Sequence, residues 1–356
     1  MKNLLFVDIS NWKFITWGVV ISFWTVFFFF KIKSEKTFIV DLSENVDKSN
    51  HIYIPVIINN NVYNFLFDTG ASFNIIDFGL AQKIGLSIDE KIFLTISRFT
   101  KTWSDSISFS KKIAYIGNLK LNTTFALNGY NGLCIDDIEL MQRVGAIMGI
   151  ETIQHFNWLF NFSDNNVTIS KGKIKISSFP DDQMLNLDFF YESGITNVDL
   201  IIDGVSIQNI AFDTGYEKSI IPFFKERELI DIVFSKSDIE TLASNNKHPN
   251  LGFSSELGKV FVIDSVQIND FTMQGLFALE HNEINQTLIT SNFVRRFRMM
   301  YFDSKNKKIQ LYVSPSDSAR HHRRNLQNFS RALLQHFEEN PNKAGDGIPQ
   351  EIINLW

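Results

Sequence analysis

Asp68-Thr69-Gly70 and Asp213-Thr214-Gly215 are the residues whose type and setting could do chemistry. A single Asp-Thr-Gly carries little weight. At ordinary residue frequencies a chain of this length holds one by chance about one time in ten, and Asp and Gly are turn residues. Here each copy directly follows an apolar run, Phe65-Leu66-Phe67 in one case and Ile210-Ala211-Phe212 in the other. Turn chemistry does not account for those runs. A carboxylate at the end of a buried strand is costly unless something uses it, and two carboxyl groups together suit general acid–base work on a water molecule.

The elements that must position the pair are themselves repeated. Ile52 to Ile58, Asn59-Asn60-Asn61 and Val62 to Gly70 read as strand, polar turn and strand. Val198 to Ile202, Asp203-Gly204 and Val205 to Gly215 read the same way, and both turns are hairpin chemistry. Ile147-Met148-Gly149 and Leu288-Ile289-Thr290 follow at similar distances, each leading to an aromatic-rich strand, a polar turn and a closing strand (Val167-Thr168-Ile169 and Ile309 to Val313). Such self-similarity means two copies of one unit, divided at the polar turn Ser177 to Asp182. Phe78 to Gly85 reads as a short helix with a Gly stop, and Pro222 to Leu229 has helical spacing at the corresponding place.

Composition narrows the class. Hydrophobic residues at 44% against 21% charged predict a globular chain, and 35 Phe with many β-branched residues favour strands. A net charge of −5 argues against a nucleic-acid partner. Cys134 is the sole cysteine, which excludes an internal disulfide, and scattered His without Cys-x-x-Cys speaks against zinc; no cofactor is expected. Gly-x-Ser-x-Gly, His-Glu-x-x-His and Gly-Lys-Ser/Thr are all missing.

Phe67-Asp68-Thr69-Gly70-Ala71-Ser72 and Ile147-Met148-Gly149 resemble the two signature segments of the pepsin and retropepsin-like aspartic peptidases. The resemblance covers roughly Ile52 to Val313 and leans toward retropepsin-like bacterial proteins. It implies an all-β fold with two pepsin-like β-barrel lobes, each donating one aspartate to a shared site. Asp68 and Asp213 are then the catalytic residues. They share one proton, as aspartic-protease pairs characteristically do, and the amide is hydrolysed by an activated water without a covalent intermediate. Thr69 and Thr214 brace the two loops, Gly70 and Gly215 bring their amides to the carboxylates, and Ser72 hydrogen-bonds the carboxylate beside it. The substrate is a polypeptide held extended under a mobile hairpin. Arg98 to Ser104 is the candidate for that flap, with an ordinary surface hairpin as the competing reading.

The second half departs from the family pattern. Tyr216-Glu217 stands where a small residue and a hydroxyl are usual, and Thr290 stands where the crossing strand has Gly, so that its side chain is expected to press on the Asp213 loop. The alternative function is accordingly a catalytically impaired homologue that binds peptides.

From Phe14 to Phe30 no residue is charged, and Lys13, Lys31 and Trp17 flank or sit in the run. The run is close to the lower limit of about 17 residues for a membrane-spanning helix; a cleaved signal peptide is the rival reading. The expected organisation is a membrane anchor over 1–36, a linker over 37–50, lobes over 51–178 and 179–313, and a basic amphipathic tail over 314–356. The tail either packs on the second lobe or lies on an anionic membrane. The chain is expected to be a monomeric single-pass protein with its catalytic domain extracytoplasmic. The short polar stretch before the first lobe predicts no activating cleavage.

Overall fold

The computed structural model describes residues 37–42, 51–89, 112–120, 126–135, 145–176, 183–216, 230–245, 250–255, 258–263, 265–273, 276–281 and 284–313. The chain divides into two compact units, Met1–Thr37 and Phe38–Trp356, and every element below lies in the second. The segments read as anchor, flap and basic tail, the turn at Ser177 to Asp182, and Glu217 all fall outside the described residues. No helix among the described residues is long and apolar enough to cross a membrane.

The first half runs β1 (Phe38–Asp41), β2 (Tyr53–Ile58), β3 (Asn61–Phe67), β4 (Ile75–Asp77), α1 (Phe78–Lys83), β5 (Ser87–Asp89), β6 (Lys112–Lys120), β7 (Ala126–Ile135), β8 (Ala146–Met148), α2 (Ile150–Ile153), β9 (Asn157–Asn161) and β10 (Asn166–Ser170). The second half opens with β11 (Gln183–Glu192), β12 (Ile195–Ile202), β13 (Val205–Phe212), β14 (Ile232–Phe234), α3 (Lys236–Ser244), β15 (Asn250–Ser255) and β16 (Gly258–Ile263). It continues with β17 (Val266–Ile268), β18 (Phe271–Met273), β19 (Leu276–His281), β20 (Leu288–Ile289), α4 (Ser291–Arg295), β21 (Met299–Asp303) and β22 (Lys308–Val313). The protein is mostly β-sheet with few helices.

The two halves repeat one topology. The order β2-β3-β8-β4-β7-β6-β5 in the first is matched by β12-β13-β20-β14-β19-β16-β15 in the second. Strand directions match as well. β3 is parallel to β8 and β13 to β20, while β4 is antiparallel to β8 and β14 to β20. The opening hairpins have the turns their residues dictate. Asn59 and Asn60 both take positive φ (49° and 65°), as do Asp203 (50°) and Gly204 (78°), so each hairpin closes through a two-residue loop. The halves join edge to edge where β9 pairs antiparallel with β21, setting Trp158 opposite Phe302. One hydrophobic cluster spans both, from Val40 to Val313.

One reading of the sequence is corrected here. The linker assigned to 37–50 opens as a strand, because Phe38, Val40 and Leu42 are buried while Ile39 and Asp41 are exposed, the alternation of an edge strand. That strand pairs with β10. Pro222 to Leu229, read as helical from its spacing, lies outside the described residues; among those described, α3 follows β14 as α1 follows β4. Ser235 caps α3, accepting from the Asp238 amide at 3.3 Å and donating to the Asp238 carboxylate at 2.9 Å.

Asp231, at the start of β14, is fully buried and paired in bidentate fashion with Arg296 (2.6 and 2.5 Å). The Phe277 amide supplies a further bond at 2.8 Å. This group ties β14, β19 and α4 together behind the Asp213 loop. Burial pushes the Asp231 carboxyl up, and the guanidinium pulls it back down. Arg296→Met is expected to cost about 3–5 kcal/mol at neutral pH, because it leaves a buried carboxylate without its cation. The loss should shrink as pH falls toward the ordinary 3.8 of the carboxyl, because the raised folded-state carboxyl takes up its proton above that value. Urea unfolding at pH 7 and pH 3 measures both numbers.

Candidate active site

The two Asp-Thr-Gly segments leave their sheets at the same point of the repeated topology. β3 ends at Phe67, whose ring meets those of Trp158 (5.1 Å) and Phe160 (4.8 Å) edge-on, so the strand end is clamped in the core. The Asp68 amide then donates to Met148 O (3.1 Å) on β8, and the Asp213 amide donates to Ile289 O (2.9 Å) on β20. Each crossing strand thus fixes the backbone of one aspartate.

The loops lock each other. Thr214 Oγ1 donates to Phe67 O (2.6 Å), and Thr69 Oγ1 donates to Phe212 O. The Thr69 amide donates to Thr214 Oγ1 and the Thr214 amide to Thr69 Oγ1, both at 3.2 Å. Both threonines are wholly buried. The glycines are reciprocal too. A Cβ at Gly70 would be driven into the Asp213 carboxyl, and a Cβ at Gly215 into the Asp68 carboxyl. Each carboxyl is therefore seated against the other half's glycine, and the two are close enough for each to alter the other's affinity for protons.

The pair is not symmetric. Asp68 Oδ1 accepts the amides of Gly70 (2.8 Å) and Ala71 (2.9 Å), whereas Asp213 Oδ1 accepts that of Gly215 (3.0 Å). Burial raises both carboxyls above their ordinary range. Asp213 is raised further, since the charge of Asp68 adds to its burial. At Asp68 the amide donors and Asp213 work against the rise. A proton shared by the pair accordingly favours Asp213.

One expectation meets a different geometry. Ser72 Oγ does not reach the Asp68 carboxylate; it donates to Ser193 O (3.1 Å). The cause is the β11–β12 hairpin tip, which lies so close that a Cβ on Gly194 would stand 2.6 Å from Ser72 Oγ. The hydroxyl ties the Asp68 loop to the second half. Thr290 Oγ1 donates to Ile230 O (2.5 Å) and caps α4 by accepting the Asn292 amide (3.2 Å), while the Asp213 loop from residue 217 to 229 lies outside the described residues. At the equivalent Gly149 a side chain has no room. The Asp68 loop folds directly over it, and a Cβ would lie 2.7 Å from Ala71 O. Asn74, which accepts the Gly149 amide (3.1 Å), and the buried His51 also belong to the site's surroundings; neither stands in a motif, and no pattern in the sequence singles them out. No group of three or more His, Cys, Asp or Glu capable of holding a metal occurs among the described residues.

Residues 54–127, which include Asp68-Thr69-Gly70 and Ser72, match the family model described as aspartyl protease. Over residues 54–127 the chain is thus similar to the aspartyl proteases, and its second Asp-Thr-Gly loop stands in the duplicated position. Among solved structures, a retropepsin-like aspartic protease from Rickettsia conorii is similar at 14% identity, with a TM-score of 0.27, over 37% of this chain and 93% of that one. A comparison with curated protein sequences gives no match.

The raised carboxyls carry a stability cost. Ionising Asp213 in the folded state is unfavourable, a cost absent below its ordinary 3.8 and growing as pH rises toward the higher folded value. Asp213→Asn keeps the shape and an acceptor for Gly215, so it is expected to raise the melting temperature at pH 7 and to have no effect near pH 3. Each unit by which the carboxyl is raised corresponds to about 1.4 kcal/mol. Gly70→Ala should do the opposite at both pH values, losing about 1–3 kcal/mol through overpacking against Asp213. Thermal melts of the two variants beside wild type distinguish these effects.

Proposed function

We propose that the chain is an aspartic endopeptidase in which Asp68 and Asp213 together activate one water molecule. The observation that carries this reading is the reciprocal seating of the two carboxyls, each raised by burial and each held against the other half's glycine. A structural role would be served better by uncharged residues, since paired buried carboxyls only burden the fold.

In the resting pair Asp68 is the ionised partner and Asp213 carries the proton, in keeping with two amide donors at the first and one at the second. A water between them loses a proton to Asp68 as its oxygen attacks the scissile carbonyl carbon. Asp213 gives its proton to the carbonyl oxygen, and a gem-diol forms. Asp68 then protonates the amide nitrogen, the C–N bond breaks, and a diol proton returns to Asp213 as the carboxylic acid product forms. One water is consumed and the pair ends with the single proton it began with.

The same reading extends to the rest of the chain. The duplicated sheets form two pepsin-like lobes with the cleft between them, and the substrate is an extended polypeptide lying across it beneath residues 98–104. Residues 14–30 anchor the monomeric protein as a single span with the peptidase domain extracytoplasmic, and no activating cleavage precedes activity. Resistance of the full-length protein to carbonate extraction tests the anchor, and mass spectrometry of active material tests the absence of trimming.

Full-length protein incubated with a peptide library should yield internal cleavages that a pepstatin-type hydroxyl inhibitor suppresses. Asp68→Asn and Asp213→Asn should each lower kcat by about a thousandfold or more, with melting temperatures no lower than wild type. Near-wild-type turnover in either variant would sink the shared-pair mechanism. Inhibitor binding without any cleavage by wild type would instead favour a peptide-binding homologue.

A further inference from the structure

His51 lies beside the chemistry without a part in the steps above. It is 2% exposed and stands two residues before the start of β2. Ile52 O accepts the Phe67 amide at 2.8 Å, so the main chain at 51–52 runs against the strand end that leads into Asp68. On the other side, His51 Nε2 lies 3.2 Å from the carbonyl oxygen of Tyr216, the residue that follows Asp213-Thr214-Gly215. With its proton on Nε2 the imidazole donates across the duplication, from the first-half strand to the second-half loop. The backbone of His51 is itself pinned, because Arg295 Nη2, at the end of α4, donates to His51 O at 2.7 Å.

We propose that His51 is a positioning residue for the Asp68–Asp213 pair, serving when protonated as its buried countercharge and holding the Asp213 loop through Tyr216. The groups that face it among the described residues make this consistent. Asp68 and Asp213 both feel its charge, which favours their ionised forms. Arg295 opposes a second cation from the α4 side, and the Tyr53 ring meets the imidazole edge-on at 6.2 Å. One net negative charge on the singly ionised pair attracts the imidazolium, and burial leaves that attraction little screened. The consequence for rate rests on the peptidase reading; the consequence for charge does not. Burial alone would push the working range of the pair upward in pH, and His51 pulls it back toward acid. An imidazole is suited to this because it can carry a positive charge while still offering an N–H to Tyr216 O.

Two variants separate charge from tether. His51→Gln retains an N–H for Tyr216 O and removes the charge, and His51→Ala removes both. In full-length protein, both limbs of the pH profile of kcat/KM are expected to move to higher pH in the two variants alike. A Gln variant with the wild-type profile, whatever Ala does, would overturn the countercharge and leave only a tether. A second measurement stands if the His51 variants do not fold or if no peptide is cut. The imidazole C–H signal of His51, followed by NMR, should titrate at lower pH in Asp68→Asn/Asp213→Asn than in wild type, because the coupling is mutual. An unchanged His51 titration in that double variant refutes the proposal. A moved titration in a protein that cuts no peptide keeps the countercharge and removes the peptidase reading.

Discussion

Everything in this site depends on two threonine hydroxyls that donate out of their own half. Thr69 Oγ1 reaches Phe212 O and Thr214 Oγ1 reaches Phe67 O, the carbonyls immediately before the opposite aspartates. Each hydroxyl also accepts the other threonine's amide. Buried donors and acceptors without partners cost about 1–3 kcal/mol each, so this closed set of bonds strongly resists any relative shift of the loops. The close approach of the carboxyls, their raised affinity for protons and the need for glycine at 70 and 215 all follow from that constraint.

Duplication supplies the frame, and small departures from it supply the polarity. The same strand order and directions bring each aspartate out of a strand paired in parallel with its crossing strand. In the first half the loop after Asp68 folds back over Gly149, and the carbonyls of Ala71 and Ser72 accept the first amides of α2 (2.8 and 3.2 Å). In the second half Thr290 occupies the matching position and turns its hydroxyl toward Ile230. The first carboxyl accepts the amides of Gly70 and Ala71, and the second that of Gly215. A pair built from one repeated unit can in this way carry unequal protons.

Much of this was legible in the chain because it rests on local rules. Asn59-Asn60 and Asp203-Gly204 tolerate positive φ, so the hairpins that deliver both aspartates could be read from turn chemistry alone. What escaped rests on the other kind of contact. The strand Phe38–Asp41 was hidden because polar neighbours from Asp41 onward outweighed a short alternation. Ser72 has its partner in a hairpin far along the chain, and His51 finds Tyr216 and Arg295 only after folding. The capping role of Thr290 escaped because its partners, Ile230 O and the Asn292 amide, are set by the fold. Spacing reveals strands and turns; it does not reveal which surfaces the fold will press together.

The reciprocal glycine seats have a consequence for the order in which the protein is made. The pocket that holds Asp68 is lined by Gly215, and the threonine that fixes Phe67 is Thr214. When the ribosome has released only the first half, that half has a carboxylate but neither the wall nor the brace that would make it reactive. The paired arrangement therefore arrives only with the C-terminal half of the chain, so that the order of synthesis itself delays the moment at which the two carboxyls can meet.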